Sequence, residues 1–233
     1  MIGTLINFAS IVIGSIFGLL VGSKLQERIK ETVIAGFGLF TLGYGLQMFL
    51  QTRNALIVLG SLLLGGIIGE IIQIEDGMQN IGRWLQERYA RLGGETNQIR
   101  FVSGFFSASI LFCVGPMAIL GSIEDGLTGN YQTLAIKSIL DGFASIAFAS
   151  SLGIGVIFSA IPVLIYQGAI TLLAFQVQAI FTAPMMTEMT AAGGVILMAI
   201  AVSSLLGIRK IRAGNFLPTL IIAPLLSAFL PGL

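Results

Sequence analysis

The charged residues of this chain are gathered into short clusters, and long uncharged stretches run between them. These are Met1–Ser23, Thr32–Thr52, Asn54–Gly69, Phe101–Ile123, Gly142–Thr187, Met189–Ile208 and Ala213–Leu233. A bilayer core of ~30 Å takes about 20 residues of helix, so most of these runs match one crossing each. Gly142–Thr187 is too long for one. At ~1.5 Å per residue it would extend well over twice the membrane thickness, so it must fold back. The break is expected at Ser150-Ser151-Leu152-Gly153-Ile154-Gly155, where two glycines weaken a helix. About eight spans result, roughly at 3–22, 32–50, 55–72, 101–121, 133–151, 154–180, 190–208 and 215–231, with the sixth bent at Pro162. The long continuous runs lack the alternation of barrel strands. Helices are therefore the way to pair every backbone amide in lipid.

Composition agrees with that class and removes others. Apolar residues make up 55% and charged residues 10%, with mean hydropathy +0.96, whereas a soluble domain carries nearer ~25% charge. A net charge of +1 and one cysteine, Cys113, exclude a nucleic-acid binder and a disulfide scaffold. The fold class expected is an all-α, polytopic transmembrane bundle with broken or kinked helices. Residues 1–233 read as one integral membrane domain, within which 73–100 form a cytoplasmic interfacial helix and loop.

Basic residues set the expected orientation. Lys24, Arg28 and Lys30 follow span one, Arg83, Arg88, Arg91 and Arg100 follow span three, and Arg209, Lys210 and Arg212 follow span seven. Ten of the twelve basic residues thus fall on one side, leaving Arg53 opposite and Lys137 inside span five. Both termini are expected outside, and Met1–Ser10 lacks the basic start of a removable signal peptide. Within 74–92, Ile74, Met78, Ile81, Leu85, Tyr89 and Leu92 share one helical face, with Glu75, Arg83, Glu87 and Arg91 elsewhere. That pattern suits an amphipathic helix at the cytoplasmic interface, with Trp84 as an anchor.

Gly14, Gly18 and Gly22 recur every four residues on span one, and Gly65 and Gly69 do so on span three. Small residues at this spacing let helix backbones approach closely in lipid, within one chain or between copies. Ile57-Val58-Leu59-Gly60-Ser61-Leu62-Leu63-Leu64 echoes Ile11-Val12-Ile13-Gly14-Ser15-Ile16-Phe17, as an internal duplication would.

The acidic residues divide. Glu27, Glu31, Glu70, Glu75, Asp76, Glu87 and Glu95 fall at the cytoplasmic side among basic residues; Glu124, Asp125 and Glu188 fall at the outer ends of spans; Asp141 falls inside span five. A carboxylate at that depth costs several kcal/mol unless it meets water, a cation or a partner, so Asp141 is the first candidate for a pathway. Lys137 lies at i−4 on the same face, so an internal ion pair is the structural alternative. Gly115-Pro116 interrupts span four beside Cys113, and broken helices at membrane depth line cavities or are buried in protein. Tyr166, Gln167, Gln176 and Gln178 give span six a polar share, and Asn7 and Gln47 are weaker candidates of the same type.

Several stretches resemble the domain of unknown function 554 family of bacterial membrane proteins. They are Gly3-Thr4-Leu5-Ile6-Asn7, residues 25–33 (Leu25-Gln26-Glu27-Arg28 onward), residues 112–126 (Phe112-Cys113-Val114-Gly115-Pro116 through Gly126), Lys137-Ser138-Ile139-Leu140-Asp141-Gly142, residues 162–168 from Pro162 to Gly168, and residues 207–218 from Gly207 to Pro218. The resemblance runs over nearly the whole chain. It implies a bacterial cytoplasmic-membrane protein of transporter type, and carries over no catalytic or binding residues.

Taken together, the residues point to a transporter or channel for a small solute or ion, with cation or proton coupling suggested by the outer acids. Asp141, Lys137, Glu124, Asp125, Cys113, Pro116, Gln167 and Glu188 are the candidate pathway residues. The expected partners are the lipid bilayer, the solute and further copies through glycine faces, with no nucleic acid. No cofactor is implied and no metal is named. An enzyme is not expected, because zero histidines remove the usual base. A membrane scaffold that transports nothing is the alternative.

Overall fold

The computed structural model describes residues 1–91 and 97–229, without the side chains of Ala90, Arg91, Pro116 and Ile180. Leu92, Glu95 and the end of the eighth expected span lie outside the described residues. All regular structure among the described residues is helical: α1 Ile2–Gly22, α2 Glu27–Phe49, α3 Ala55–Ile72, α4 Ile74–Arg91, α5 Gln98–Cys113, α6 Pro116–Thr128, α7 Gln132–Leu152, α8 Gly155–Phe158, α9 Ala160–Leu172, α10 Ala174–Ile180, α11 Ala183–Ile200 and α12 Thr219–Phe229. A π-helical turn, Ala201–Leu205, extends α11, and a 3-10 turn, Ala213–Phe216, leads into α12.

Six helices among the described residues are long and apolar enough to cross a membrane, and the α5–α6 pair makes a seventh if it counts as one broken span. Ala213–Phe229 is apolar but shorter. Eight spans is therefore an approximate count. Many large apolar side chains point outward, among them Leu20, Leu63, Ile139 and Ile165. Lipid solvates such a surface, where water would penalise it.

Several boundaries differ from expectation because charge alone does not end a helix. α2 begins at Glu27, so Arg28, Lys30 and Glu31 ride on its first turns instead of a loop. α11 begins at Ala183, well before residue 190, because Thr182 caps it and Pro184 sits in its first turn, where a missing N–H costs nothing. Glu188 consequently lies inside the helix. The sixth span breaks at Ser159, ahead of Pro162, and again at Leu173. The fold-back after α7 is at Gly153, whose φ of 84° a side chain rarely adopts.

The chain divides into two compact units, Met1–Ala35 with Gln79–Val177 and Gly36–Met78 with Gln178–Leu233. In the first, α1 and α7 lie parallel with backbones almost touching. A Cβ on Gly14 would stand 2.4 Å from the Gly142 carbonyl oxygen, one on Gly18 2.3 Å from that of Ile146, and one on Gly22 2.5 Å from that of Ser150. α9 runs antiparallel to α1, matching Thr4 with Thr171 and Asn7 with Gln167. α5 starts beside the end of α7, since Gly155 packs on Phe101 and Gly104 on Leu152. α6 ends beside the start of α7, where Gly121 meets Leu134. The broken pair thus travels the whole length of α7 in the opposite sense, and it is not a re-entrant loop.

The amphipathic helix α4 faces this unit with Gly82 against Val102 and Phe105, and with Tyr89 edge-on to Phe158 at 6.2 Å. Trp84, on its other side, is exposed, and so is Ile81, which the spacing expects on the apolar face with Tyr89. In the second unit α2 runs antiparallel to α11 (Gly45 on Gly194, Gly38 on Leu206), and α3 antiparallel to the 3-10 turn and α12 (Gly69 on Asn215, Gly65 on Thr219). α11 forms its centre: Ala191 and Ala192 join Val58 and Ala223 in a buried cluster.

Candidate functional site

Three antiparallel and parallel helices of the first unit each contribute one polar turn to a common level. On α7, Lys137 and Asp141 stand at i and i+4, one above the other on the same face. On α1, Thr4 and Asn7 occupy the face that continues the Gly14–Gly18–Gly22 stripe toward the N-terminus. On α9, Gln167 and Thr171 are again at i and i+4. The glycine contacts bring α1 against α7 so closely that a short amide side chain can span the gap.

The resulting network is specific. Lys137 Nζ is paired with Asp141 Oδ2. Asn7 Nδ2 donates to the same oxygen at 2.9 Å and to Gln167 Oε1 at 3.2 Å. The hydroxyls of Thr4 and Thr171 meet at 3.3 Å. Asn7 and Gln167 are 0% exposed, and the Lys137 and Asp141 side chains 7% and 11%. Asp141 lies nine residues into α7, roughly 13 Å along the axis, so these groups are buried at membrane depth. There an unsatisfied polar group is expensive.

Two atoms of the network nevertheless have no partner: Asn7 Oδ1 and Gln167 Nε2. Reversing the Asn7 amide would not help, because it would point its oxygen at the Asp141 carboxylate. The carboxylate thus fixes the amide and leaves an acceptor and a donor open.

The helix break lies in the α5–α6 pair, which packs against α7. α5 ends at Cys113, Val114 and Gly115 are extended, and α6 begins at Pro116, turned by 59°. Cys113 lies within electrostatic reach of Lys137, Asp141 and Tyr166. The broken pair α5–α6 thus packs against α7, the helix that carries the charge pair.

Other candidates do different work. Asp125 is buried, and its Oδ2 accepts from the Gly3 amide and the Met1 amino group, each at 3.0 Å, capping the start of α1. An acid at a helix N-terminus is favoured by the exposed amides and the helix dipole. Glu124 accepts from Asn130 at 2.7 Å and Thr133 at 2.8 Å, bracing the α6–α7 turn. Glu188, in the second unit and 2% exposed, accepts from the Arg53 amide at 2.8 Å and the Thr52 hydroxyl at 2.5 Å, which fixes the α2–α3 corner. Gln47, Gln176 and Gln178 are exposed. Among the described residues no three Cys, Asp or Glu side chains are grouped to hold a metal ion.

Lys137, Asp141, Gln167 and Cys113 are thus brought together, while Glu124 and Asp125 sit at one end of their unit and Glu188 in the other unit. Thr4 and Thr171 are additions that polarity alone did not single out, and Asn7 moves from the margin to the centre. The signal was present in the spacing: the glycine stripe of α1, extended backward in helical steps, passes through Asn7 and Thr4.

The family described as protein of unknown function (DUF554) matches residues 2–228. The chain belongs to that family. It is 33% identical over 227 residues to "Uncharacterized protein YqgA" of Escherichia coli (strain K12), covering 97% of this chain and 96% of that protein. It is 29% identical over 228 residues to "Uncharacterized membrane protein YdfK" of Bacillus subtilis (strain 168), covering 96% and 94%. No solved structure matches. Multi-pass membrane character, expected from the uncharged runs, is common to the helical architecture and the relative's description.

Proposed function

We propose that this DUF554 protein is a transporter or channel for a small solute or ion, with its pathway through the Asp141 cluster. The observation that carries the proposal is the coincidence of a broken transmembrane helix with a buried, incompletely satisfied polar network. A bundle that only had to hold together would gain from replacing such a network by packed apolar side chains. Val114-Gly115 supplies the hinge, Lys137 and Asp141 the switchable pair, and Asn7 and Gln167 the groups that a passing solute would meet. Asp125, Glu124 and Glu188 anchor the helix ends. No covalent chemistry is assigned, since the deep carboxylate faces a lysine and not a second acid.

An internal duplication supports a transporter architecture. A shift of 47 residues, one more than the echoing sequences suggest, carries the buried face Ile11, Gly14, Gly18, Gly22 of α1 onto Val58, Ser61, Gly65, Gly69 of α3. The same shift carries Asn7 to Asn54 and Asp141 to Glu188. Each unit then contains one such helix with a parallel acidic neighbour (α7, α11) and an antiparallel one (α9, α12). The asymmetry of the basic clusters supports a reading with both termini outside a bacterial cytoplasmic membrane and α4 on its inner surface.

Flux through reconstituted vesicles, against a panel of ions and small metabolites, tests the proposal. Asp141→Asn is expected to abolish flux in a protein that still folds and inserts. If Asp141→Asn unfolds the protein and Lys137→Met added to it restores folding, the pair is structural and the scaffold alternative holds.

A further inference from the structure

We infer that the cluster of Asn7, Lys137, Asp141 and Gln167 is a binding site for a small solute of zero net charge that both donates and accepts hydrogen bonds. This rests on the transport proposal above and narrows its cargo, moving away from the cation suggested by the acids in the sequence.

The first ground is charge. Asp141 is the carboxylate that would attract a cation at membrane depth, but Lys137 is paired with it directly. Their charges cancel. Of the acids that would have drawn cations toward a mouth, Asp125 is paired with the Met1 amino group at the start of α1. The remaining members, Asn7, Gln167, Thr4 and Thr171, are neutral. A net-charged guest entering this buried site would bring an uncompensated charge into a low dielectric. A zwitterion or an uncharged polar molecule would not.

The second ground is the open hydrogen bonds. Asn7 Oδ1 offers an acceptor and Gln167 Nε2 a donor, both on side chains that are completely buried. Both donors to Asp141, from Lys137 and Asn7, converge on Oδ2. Its Oδ1 has no partner among the described residues and is not sealed among the buried unpaired atoms. Lys137 likewise has N–H groups left over, since its ammonium carries three. The site therefore offers acceptors and donors side by side. A guest with only acceptors, such as a halide, or only a positive charge, such as an alkali ion, would satisfy half of it.

The test changes the net charge of the site with the least change of shape. Gln167→Glu is isosteric and keeps an oxygen to accept from Asn7, but takes the site to one negative charge. Lys137→Met reaches the same charge by another route, and Asp141→Asn reaches one positive charge. Thermal unfolding of each purified protein in detergent is followed against RbCl, choline chloride and sodium gluconate, and the same proteins are reconstituted for flux of Rb+, Cl−, alanine and glycerol. Expected is a wild-type midpoint indifferent to Rb+ and Cl−, a midpoint of Gln167→Glu and Lys137→Met that climbs with Rb+, and one of Asp141→Asn that climbs with Cl−. Rb+ or Cl− stabilising or crossing with the wild-type protein would overturn net neutrality while leaving transport intact. Folded variants that gain no ion response of the opposite sign would overturn the site itself, because a sealed structural pair admits no counter-ion. If the single variants do not fold, Asn7→Asp replaces them as a further route to one negative charge, and its indifference to Rb+ counts against the inference in the same way. Ion responses as expected, with no flux of any of the four probes, would uphold the site and count against the transport proposal alone.

Discussion

Substituting Gly18 by alanine tests how tightly the candidate site depends on helix packing 11 residues away. A Cβ at position 18 would lie 2.3 Å from the Ile146 carbonyl oxygen and 2.9 Å from its carbonyl carbon and Cα. These are backbone atoms of α7, and no rotamer change clears them. Ordinary contact begins at 3.4 Å, so the two helices must separate by about 1 Å, the kind of overpacking that costs ~1–3 kcal/mol. If α1 moves as a rod, the Asn7–Asp141 bond lengthens from 2.9 Å to nearly 4 Å, beyond hydrogen bonding. A bond to a charged partner contributes ~1.5–3 kcal/mol more.

Gly36→Ala is the control. Nothing stands within 4 Å of its Cβ, and alanine there should stabilise the helix by ~0.5–1 kcal/mol. Thermal unfolding in detergent reads the difference. A second readout is disulfide formation between cysteines placed at 10 and 142 in a Cys113→Ala background, since Ser10 Cβ and a Cβ on Gly142 are 3.5 Å apart, within disulfide range. That cross-link should form readily in the parent and slowly with Gly18→Ala. Equal unfolding midpoints for Gly18→Ala and Gly36→Ala, with an unchanged cross-linking rate, would refute the reasoning.

Glu188→Ala strands the Arg53 amide and Thr52 hydroxyl and should destabilise the protein by ~1–3 kcal/mol per stranded donor, read by chemical unfolding; a silent substitution would show that water replaces the carboxylate. Glu75, on α4, has its carboxyl pushed above the usual range chiefly by burial, against the opposing hydrogen bond from the Gly214 amide. Its folded form therefore holds the proton more tightly, so stability should be highest below its ordinary value of 4.5 and fall as pH rises through the raised one. Glu75→Gln should remove that decline in a melting series across pH, and an identical pH slope would contradict it. Single cysteines at 53 and 210 should react with impermeant reagents from opposite faces of oriented vesicles, because they flank the two ends of α3; same-side labelling would contradict the proposed topology.

Much of the fold was legible because lipid imposes one rule on every crossing: the run must be apolar and long enough. That rule found α1, α3, α7 and the fold-back at Gly153, and Gly115-Pro116 marked the broken span. It failed at Glu188, where capping by Thr182 and the preference of proline for a first helical turn outweighed the charge. The site was half legible. A lysine four residues before an aspartate announces a pair from sequence alone. That Asn7 joins it depends on α1 and α7 meeting across 134 positions, and a pattern of glycines says that a helix has a close neighbour without saying which. The role of Asp125 escaped for the same reason: its partner Gly3 lies 122 positions away, and an acid beside a helix end in space need not be near it in sequence.

The parallel pairing of α1 with α7 also has a consequence for biogenesis. Neighbouring membrane helices made in succession run in opposite senses, so a parallel partner must come from a later, non-adjacent crossing. α1 leaves the ribosome long before α7 exists, and Gln167 follows later still. The glycine-lined flank of the first segment and its asparagine must wait in the bilayer, or be held by insertion machinery, while intervening segments are threaded. Although α1 is synthesised before both α7 and α9, it is thus among the last to find its seat, and nascent chains arrested ahead of α7 should be preferred targets of membrane quality control.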